Sequence, residues 1–256
     1  MSEALAVAGL TAARGDVGIL HGVDVVIPRG ELHVLMGPNG SGKSTLCHAV
    51  MGRPGYDVSG SAKVAGVEVL GLDTDERARL GLFEAFQYPV EIGGVTLREM
   101  LVEMELAGAT DALRRGEESA HSLGMEGFLD RRVNGNLSGG EKKKSEIVQL
   151  LAMSPTAAIL DEIDSGLDVD AVSDVAQAVQ AMRGPDLGVL VITHYTRIMR
   201  YLDVDGVHVM LAGKIVRSGG RDLADELDAK GYDGLRREMG LHEATETGVV
   251  DPFSDL

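Results

Sequence analysis

Apolar residues follow two rhythms along this chain, and the change from one to the other marks out its elements. Up to Ile27 apolar and polar positions alternate, as in strands with one buried face, and Pro28-Arg29-Gly30 reads as a turn. The apolar run Leu32-His33-Val34-Leu35-Met36 predicts a buried strand, and Thr45–Met51 a helix. Between Tyr56 and Val69, short β-like pieces punctuated by Gly60 and Gly66 predict a hairpin. Thr74 reads as the N-cap of a short helix. From Thr96 to about Gly135 the pattern is helical, with Leu97, Met100, Leu101, Met104 and Leu106 near one face, a stripe read as core. Two further buried strands, Ala157–Leu160 and Gly188–Thr193, end at Asp161-Glu162 and at His194.

Such alternation of strands and helices implies an α/β fold with a mostly parallel sheet and helices on its faces. Ligands of these sheets gather at the carboxyl ends of the strands. Polar residues stand at all three such ends: Lys43 and Ser44, then Asp161 and Glu162, then His194.

Composition narrows the classes. The 256 residues, 44% of them hydrophobic, suffice for one large domain with a sizeable core. The single cysteine, Cys47, excludes an internal disulfide and cannot by itself hold zinc or an iron–sulfur cluster; its place after a glycine-rich loop suggests a small buried residue. No stretch approaches the roughly 18 unbroken apolar residues of a membrane span, and no signal peptide precedes the first strand, so a soluble cytoplasmic protein is expected. A net charge of −16 argues against a nucleic-acid surface and makes two copies repel. From Glu243 to Leu256 the chain is polar and acidic and reads as a tail.

The strongest local signal is Gly37-Pro38-Asn39-Gly40-Ser41-Gly42-Lys43-Ser44, set between a strand and a helix. Glycines let backbone N–H groups close on a polyphosphate, and the helix start adds partial positive charge. Lys43 then reaches the β- and γ-phosphates, and the Ser44 hydroxyl is a magnesium ligand. The loop implies a bound nucleoside triphosphate.

Further motifs follow in fixed order: Gln87, a helical segment, Leu137-Ser138-Gly139-Gly140-Glu141, Leu160-Asp161-Glu162, Ser165-Gly166-Leu167-Asp168 and His194. With them the chain resembles the ABC-type ATPases over nearly its whole length. The resemblance implies a phosphate-loop ATPase domain at 1–240, with a mostly parallel sheet core, an antiparallel β layer and a helical subdomain inserted at about 89–150, followed by an acidic tail at 241–256. It implies ATP and Mg²⁺ as cofactors. Residues 37–45, Thr45 included, would hold the phosphates, and Ser44, Gln87 and Asp161 the metal shell. Glu162 would orient or deprotonate the attacking water, assisted by Gln87 and by a hydrogen bond from His194 to the γ-phosphate. Ser138, Gly139 and Gly140 form a second helix-N-terminal anion site, which in the family closes over ATP held by a facing copy, with Asp168 along the same seam. A transient, ATP-dependent homodimer is therefore implied. The family usually places an aromatic ring against adenine; no aromatic precedes Tyr56 here, and the matching position falls near Arg14, which stacks on the base or stands exposed without a role.

Within the family, several stretches resemble the ATPases of the SUF iron–sulfur cluster assembly machinery: Met36–Thr45, Ala85–Ile92, Ser138–Lys144, Asp161–Asp168 and Thr193-His194-Tyr195. This likeness implies a SufB–SufD-like scaffold as partner, with no nucleic acid and no membrane insertion. The ATP-binding subunit of an ABC membrane transporter is the alternative. A DNA-repair or chromosome-organising ATPase would need a long coiled coil and a basic surface, which the sequence lacks. Lys142, Lys143 and Lys144 read as a basic helix face, or else one of them pairs with Glu162 or Asp164 and restrains the free enzyme.

Overall fold

Bulges at glycine let the first two strands keep an apolar face inward over unusual length. The structure, a computed structural model, describes residues 2–193 and 196–238. Strands β1 (Glu3–Arg14) and β2 (Val17–Pro28) pair antiparallel, with register shifts near Gly9, whose φ is +57°. Strand β3 (Leu32–Met36) is buried throughout and leads through the phosphate loop into α1 (Lys43–Met51). The expected hairpin follows as β4 (Asp57–Val64) and β5 (Val67–Glu68), completing a four-stranded antiparallel sheet in the order β2-β1-β4-β5.

The short helix α2 (Thr74–Arg79) is capped by Asp73 rather than by Thr74, because Glu76 three residues on accepts the Asp73 N–H at 2.8 Å. Then come β6 (Leu82–Ala85), α3 (Leu97–Leu106), α4 (Ala112–Ser122), α5 (Gly139–Met153) and β7 (Ala157–Asp161). After them run α6 (Val169–Ala181), β8 (Gly188–Ile192), β9 (Gly206–Leu211), β10 (Lys214–Gly219), α7 (Arg221–Lys230) and α8 (Asp233–Glu238). The second sheet has the order β10-β9-β3-β8-β7-β6, parallel except for β10, as the sequence pattern implied.

Three apolar clusters hold these layers. One lies between the parallel sheet and α5, α6 and α7; another packs α1 between the two sheets; the third is a separate small core of Leu97, Leu101, Ala120, Met125, Val148 and neighbours in the helical segment. That segment is not one helical run over 96–135. Backbone at φ +111° at Gly108 and +57° at Asn134 ends or turns it. Its expected apolar stripe is also narrower than read: Leu97 and Leu101 are buried, but Leu106 is 76% exposed. Nine residues at about 100° each place Leu106 opposite Leu97. The acidic tail lies outside the described residues.

A polar chain runs from the half-buried Glu31 across β3 and β9, through the buried His33 and His208, to the exposed Ser218. Glu31 Oε2 is 2.8 Å from His33 Nε2, His33 Nδ1 is 2.9 Å from His208 Nε2, and His208 Nδ1 is 2.8 Å from Ser218 Oγ. Burial first, then the His33 ring, pushes His208 down from 6.5 to about 4. The unfolded chain therefore binds this proton first, so the contribution of His208 to stability is full above pH 6.5 and declines as the pH falls toward 4. We expect up to about 3 kcal/mol to be lost over that interval. His48, Glu146 and Asp161 also titrate in this interval. The contribution is therefore the difference between the wild-type and His208→Gln chains in urea denaturation at about pH 7.5 and about pH 4.5, and equal losses in both would refute the assignment.

Candidate nucleotide site

The phosphate loop owes its shape to glycines that nothing larger replaces. A Cβ on Gly37 would stand 2.3 Å from the Met210 carbonyl oxygen, and one on Gly42, at φ +107°, 2.9 Å from the Leu20 side chain. Behind the loop, β3 fixes its start, and α1 begins at Lys43 itself. Lys43 Nζ donates to the Gly37 carbonyl at 2.8 Å and the Pro38 carbonyl at 3.1 Å, closing the loop on itself. Burial lowers its pKa, while Glu162 and Asp161 favour the charged form. A cleft of about 480 Å³ opens here, lined by Asn39, Gly40, Gly42, Lys43, Ser44, Thr45, Gln87, Glu162 and Ser165, with Ile19 and Tyr88.

Strand β7 ends at the buried Asp161, and the next residue, Glu162, lines the same cleft. Asp161 is raised to about 6, by burial first and then by Glu162 and Glu84, against a hydrogen bond from Ser44 and the charge of Lys43. Its Oδ1 and the Ser41 Oγ are buried without a protein partner. Such atoms call for a cation or polar ligand. Among the described residues no cluster of three His, Cys, Asp or Glu could hold a metal. One carboxylate, one hydroxyl and one amide oxygen suit Mg²⁺, which keeps most of its waters, and do not suit zinc. Glu162 ends the strand at φ +45°, its carbonyl accepting from Ser165 N–H at 3.0 Å, and its Oε2 accepts from Gln87 Nε2 at 2.5 Å. His194 lies outside the described residues.

Ser138, Gly139 and Gly140 belong to a different opening. Ser138 caps α5 in a reciprocal box, its N–H donating to Glu141 Oε2 at 2.8 Å. A Cβ on Gly139 would meet Leu167 at 3.0 Å and one on Gly140 would meet Ala171 at 3.3 Å, so both glycines let the helix start pack against 167–171. Asp168 Oδ1 accepts from Ala171 N–H at 2.8 Å and caps α6. These residues line a cavity of about 350 Å³ that shares no residue with the phosphate-loop cleft.

Two open alternatives narrow, the pairing of a lysine with Glu162 or Asp164 and the stacking of Arg14 on the base finding no support in the geometry. Lys143 does not pair with Glu162 or Asp164: it donates to the Phe86 and Gln87 carbonyls, while Lys144 pairs with Asp174 at 2.7 Å. Arg14 is exposed and absent from the cleft lining; the residue of the first two strands that reaches the cleft is Ile19. An aliphatic residue carries no motif, which is why sequence reading passed it over. Glu84 was passed over too. It is buried, accepting from Cys47 Sγ at 3.1 Å and Arg53 Nη2 at 2.8 Å, and burial followed by Glu84 raises the Cys47 thiol.

Sheet order, phosphate loop and strand-end carboxylates together define an α/β phosphate-loop nucleoside triphosphatase. Residues 20–165 match the family model described as ABC transporter. The chain is 46% identical to Vegetative protein 296 of Bacillus subtilis over 89% of its length and 91% of that protein's. It is 42% identical to a probable ATP-dependent transporter of Synechocystis over 92% of its own length and 96% of the relative's. Among solved structures, the ADP conformation of an ATP-binding cassette of an ABC transporter shares the fold at TM-score 0.78 and 23% identity, covering 95% of this chain and 100% of that one. The cbiO1 protein of Clostridium perfringens, part of the ABC transporter complex cbiONQ, gives 0.72 at 26% identity, covering 94% and 99%. The chain belongs to the ABC transporter family, as an ATP-hydrolysing cassette. Members of this family dimerise and work with transmembrane or scaffold subunits. No described helix is long and apolar enough to cross a membrane.

Proposed function

We propose that two copies of this chain close head to tail on ATP, and that closure drives a conformational change in an attached scaffold. The observation that carries this reading is the division of phosphate-binding groups between two cavities with no residue in common, one around Lys43 and one around Ser138. A helix N-terminus that does not face its own chain's cleft is suited to the nucleotide of another copy. ATP contacts then offset the repulsion of two chains of charge −16.

In this mechanism Gly37–Thr45 wraps the phosphates, and Lys43 leaves the Gly37 and Pro38 carbonyls for the β- and γ-phosphates. Ser44, Asp161 and Gln87 would hold Mg²⁺, which supplies charge neutralisation on the phosphate oxygens. Glu162 orients water and accepts its proton as the oxygen attacks the γ-phosphorus and the bond to ADP breaks. His194, as the resemblance implies, hydrogen-bonds the γ-phosphate.

The partner reading is a SufB–SufD-like scaffold, with this chain in the role of SufC, the ATPase of SUF iron–sulfur cluster assembly. It rests on the stretches around Met36, Ala85, Ser138 and Asp161. The rim that would dock a partner is apolar and exposed at Phe86, Tyr88, Val90 and Ile92. The second reading, a transporter subunit, is favoured by relatives named as a probable ABC transporter ATP-binding protein and a probable ATP-dependent transporter. Affinity capture of the tagged chain from its own cell extract separates them. Scaffold proteins of cluster assembly support the first reading, and a polytopic membrane subunit overturns it. Sedimentation of the Glu162→Gln chain tests the dimer: monomer without nucleotide and dimer with MgATP are expected, and a monomer in both refutes head-to-tail closure.

A further inference from the structure

Lys143 and Glu146 are buried one turn apart on α5, and the chemistry above gives them no task. Burying an ammonium and a carboxylate forfeits hydration worth several kcal/mol for each ion. Burial pushes the Glu146 carboxyl up and the Lys143 ammonium down, and the two lie 4.0 Å apart. Both grip the same two residues of the chain. Phe86 N–H donates to Glu146 Oε1 at 3.0 Å, while Lys143 Nζ donates to the Phe86 carbonyl and, at 2.8 Å, to the Gln87 carbonyl. The Arg53 guanidinium stands over the Phe86 ring, 5.0 Å from its centre. Gln87 in turn donates to Glu162. An unbroken series of polar contacts therefore runs from α5, through one dipeptide, to the carboxylate that faces the cleft.

We infer that Lys143 and Glu146 are positioning residues: they clamp the Phe86–Gln87 backbone to α5, so that the Gln87 amide and the Glu162 carboxylate follow any movement of that helix. The inference rests on the reading of Glu162 as the group that orients water. Its consequence is convergence. A ligand at the Ser138 end of α5 and a partner on the exposed Phe86–Ile92 rim both act on the same two backbone carbonyls and one N–H, and so both set the angle of one carboxylate. Neutral side chains would suffice if these contacts only finished strand β6.

The test is the double variant Lys143→Met/Glu146→Gln in the full chain, which removes both charges together and leaves neither unpaired. kcat for ATP falls about tenfold to a hundredfold while KM stays within about threefold. In a Gln87→Ala background the same double variant costs nothing further, because its route is gone. Side-chain amide NMR signals of Gln87 in nucleotide-free protein shift and exchange faster, a readout that does not involve turnover. Should the double variant not fold, Lys143→Arg replaces a compact ammonium by a planar fork and shows the same split, again erased by Gln87→Ala. Losses that add to those of Gln87→Ala, or an unchanged kcat with unchanged Gln87 signals, overturn the clamp. Turnover that survives Glu162→Gln overturns the base assignment instead, and the Gln87 amide signals then judge the clamp alone.

Discussion

Glu162→Gln lowers the maximal rate of ATP hydrolysis by about 10²- to 10⁴-fold while ATP continues to bind. The amide has the carboxylate's shape, so the buried position at φ +45° and the contact from Gln87 survive. What is lost is the capacity to take a proton from water. Removing the charge also relieves Asp161, the carboxylate proposed for the metal shell, whose ionisation Glu162 opposes. Phosphate release under saturating MgATP, set beside a nucleotide-binding titration, checks both halves. A variant retaining more than about a tenth of wild-type turnover would show that another group orients the water.

The second large effect is structural. Gly213→Ala costs about 3 kcal/mol or more and weakens ATP binding with it. At φ +74°, a Cβ on Gly213 would sit 2.0 Å from the Ile19 carbonyl oxygen. Its N–H donates to the Ser41 carbonyl at 2.8 Å and its carbonyl accepts from His21 N–H at 2.9 Å. The turn between β9 and β10 is thus a brace under the phosphate loop, and forcing it outward loosens Ser41. Gly66, at φ +82° with nothing within 4 Å, is the control. Its replacement by Ala costs about 1 kcal/mol, for backbone conformation alone, and leaves nucleotide affinity unchanged. Denaturant midpoints and ATP titrations that fail to separate the two glycines would refute the brace.

These examples show where the sequence is legible. Residues 37–44 speak plainly because phosphate binding needs glycines and a lysine at fixed spacing next to a strand. The buried strands at Leu32, Ala157 and Gly188 were equally plain, since parallel strands covered on both faces are continuously apolar. The helix after Ser138 was legible as well, although it starts at Gly139 and not near Glu141, with Ser138 as its cap. Reading stopped where a role depends on a distant neighbour. Nothing local distinguishes Ile19 from other strand residues, or Glu146 from an ordinary helix glutamate, until folding brings Phe86 beside it. Lys143 reads from sequence either as part of a basic helix face or as a partner of Glu162 or Asp164, and it is neither, being buried against two carbonyls. Sequence shows that a cation must be matched, and leaves open whether a carboxylate or two carbonyls match it.

Cys47 has a quieter consequence. Fully enclosed on α1, with its proton directed at Glu84 and its thiolate disfavoured, the sulfur is chemically insulated. If the chain serves the scaffold proposed above, this thiol offers no competing ligand, so whatever the scaffold holds cannot be diverted onto the ATPase.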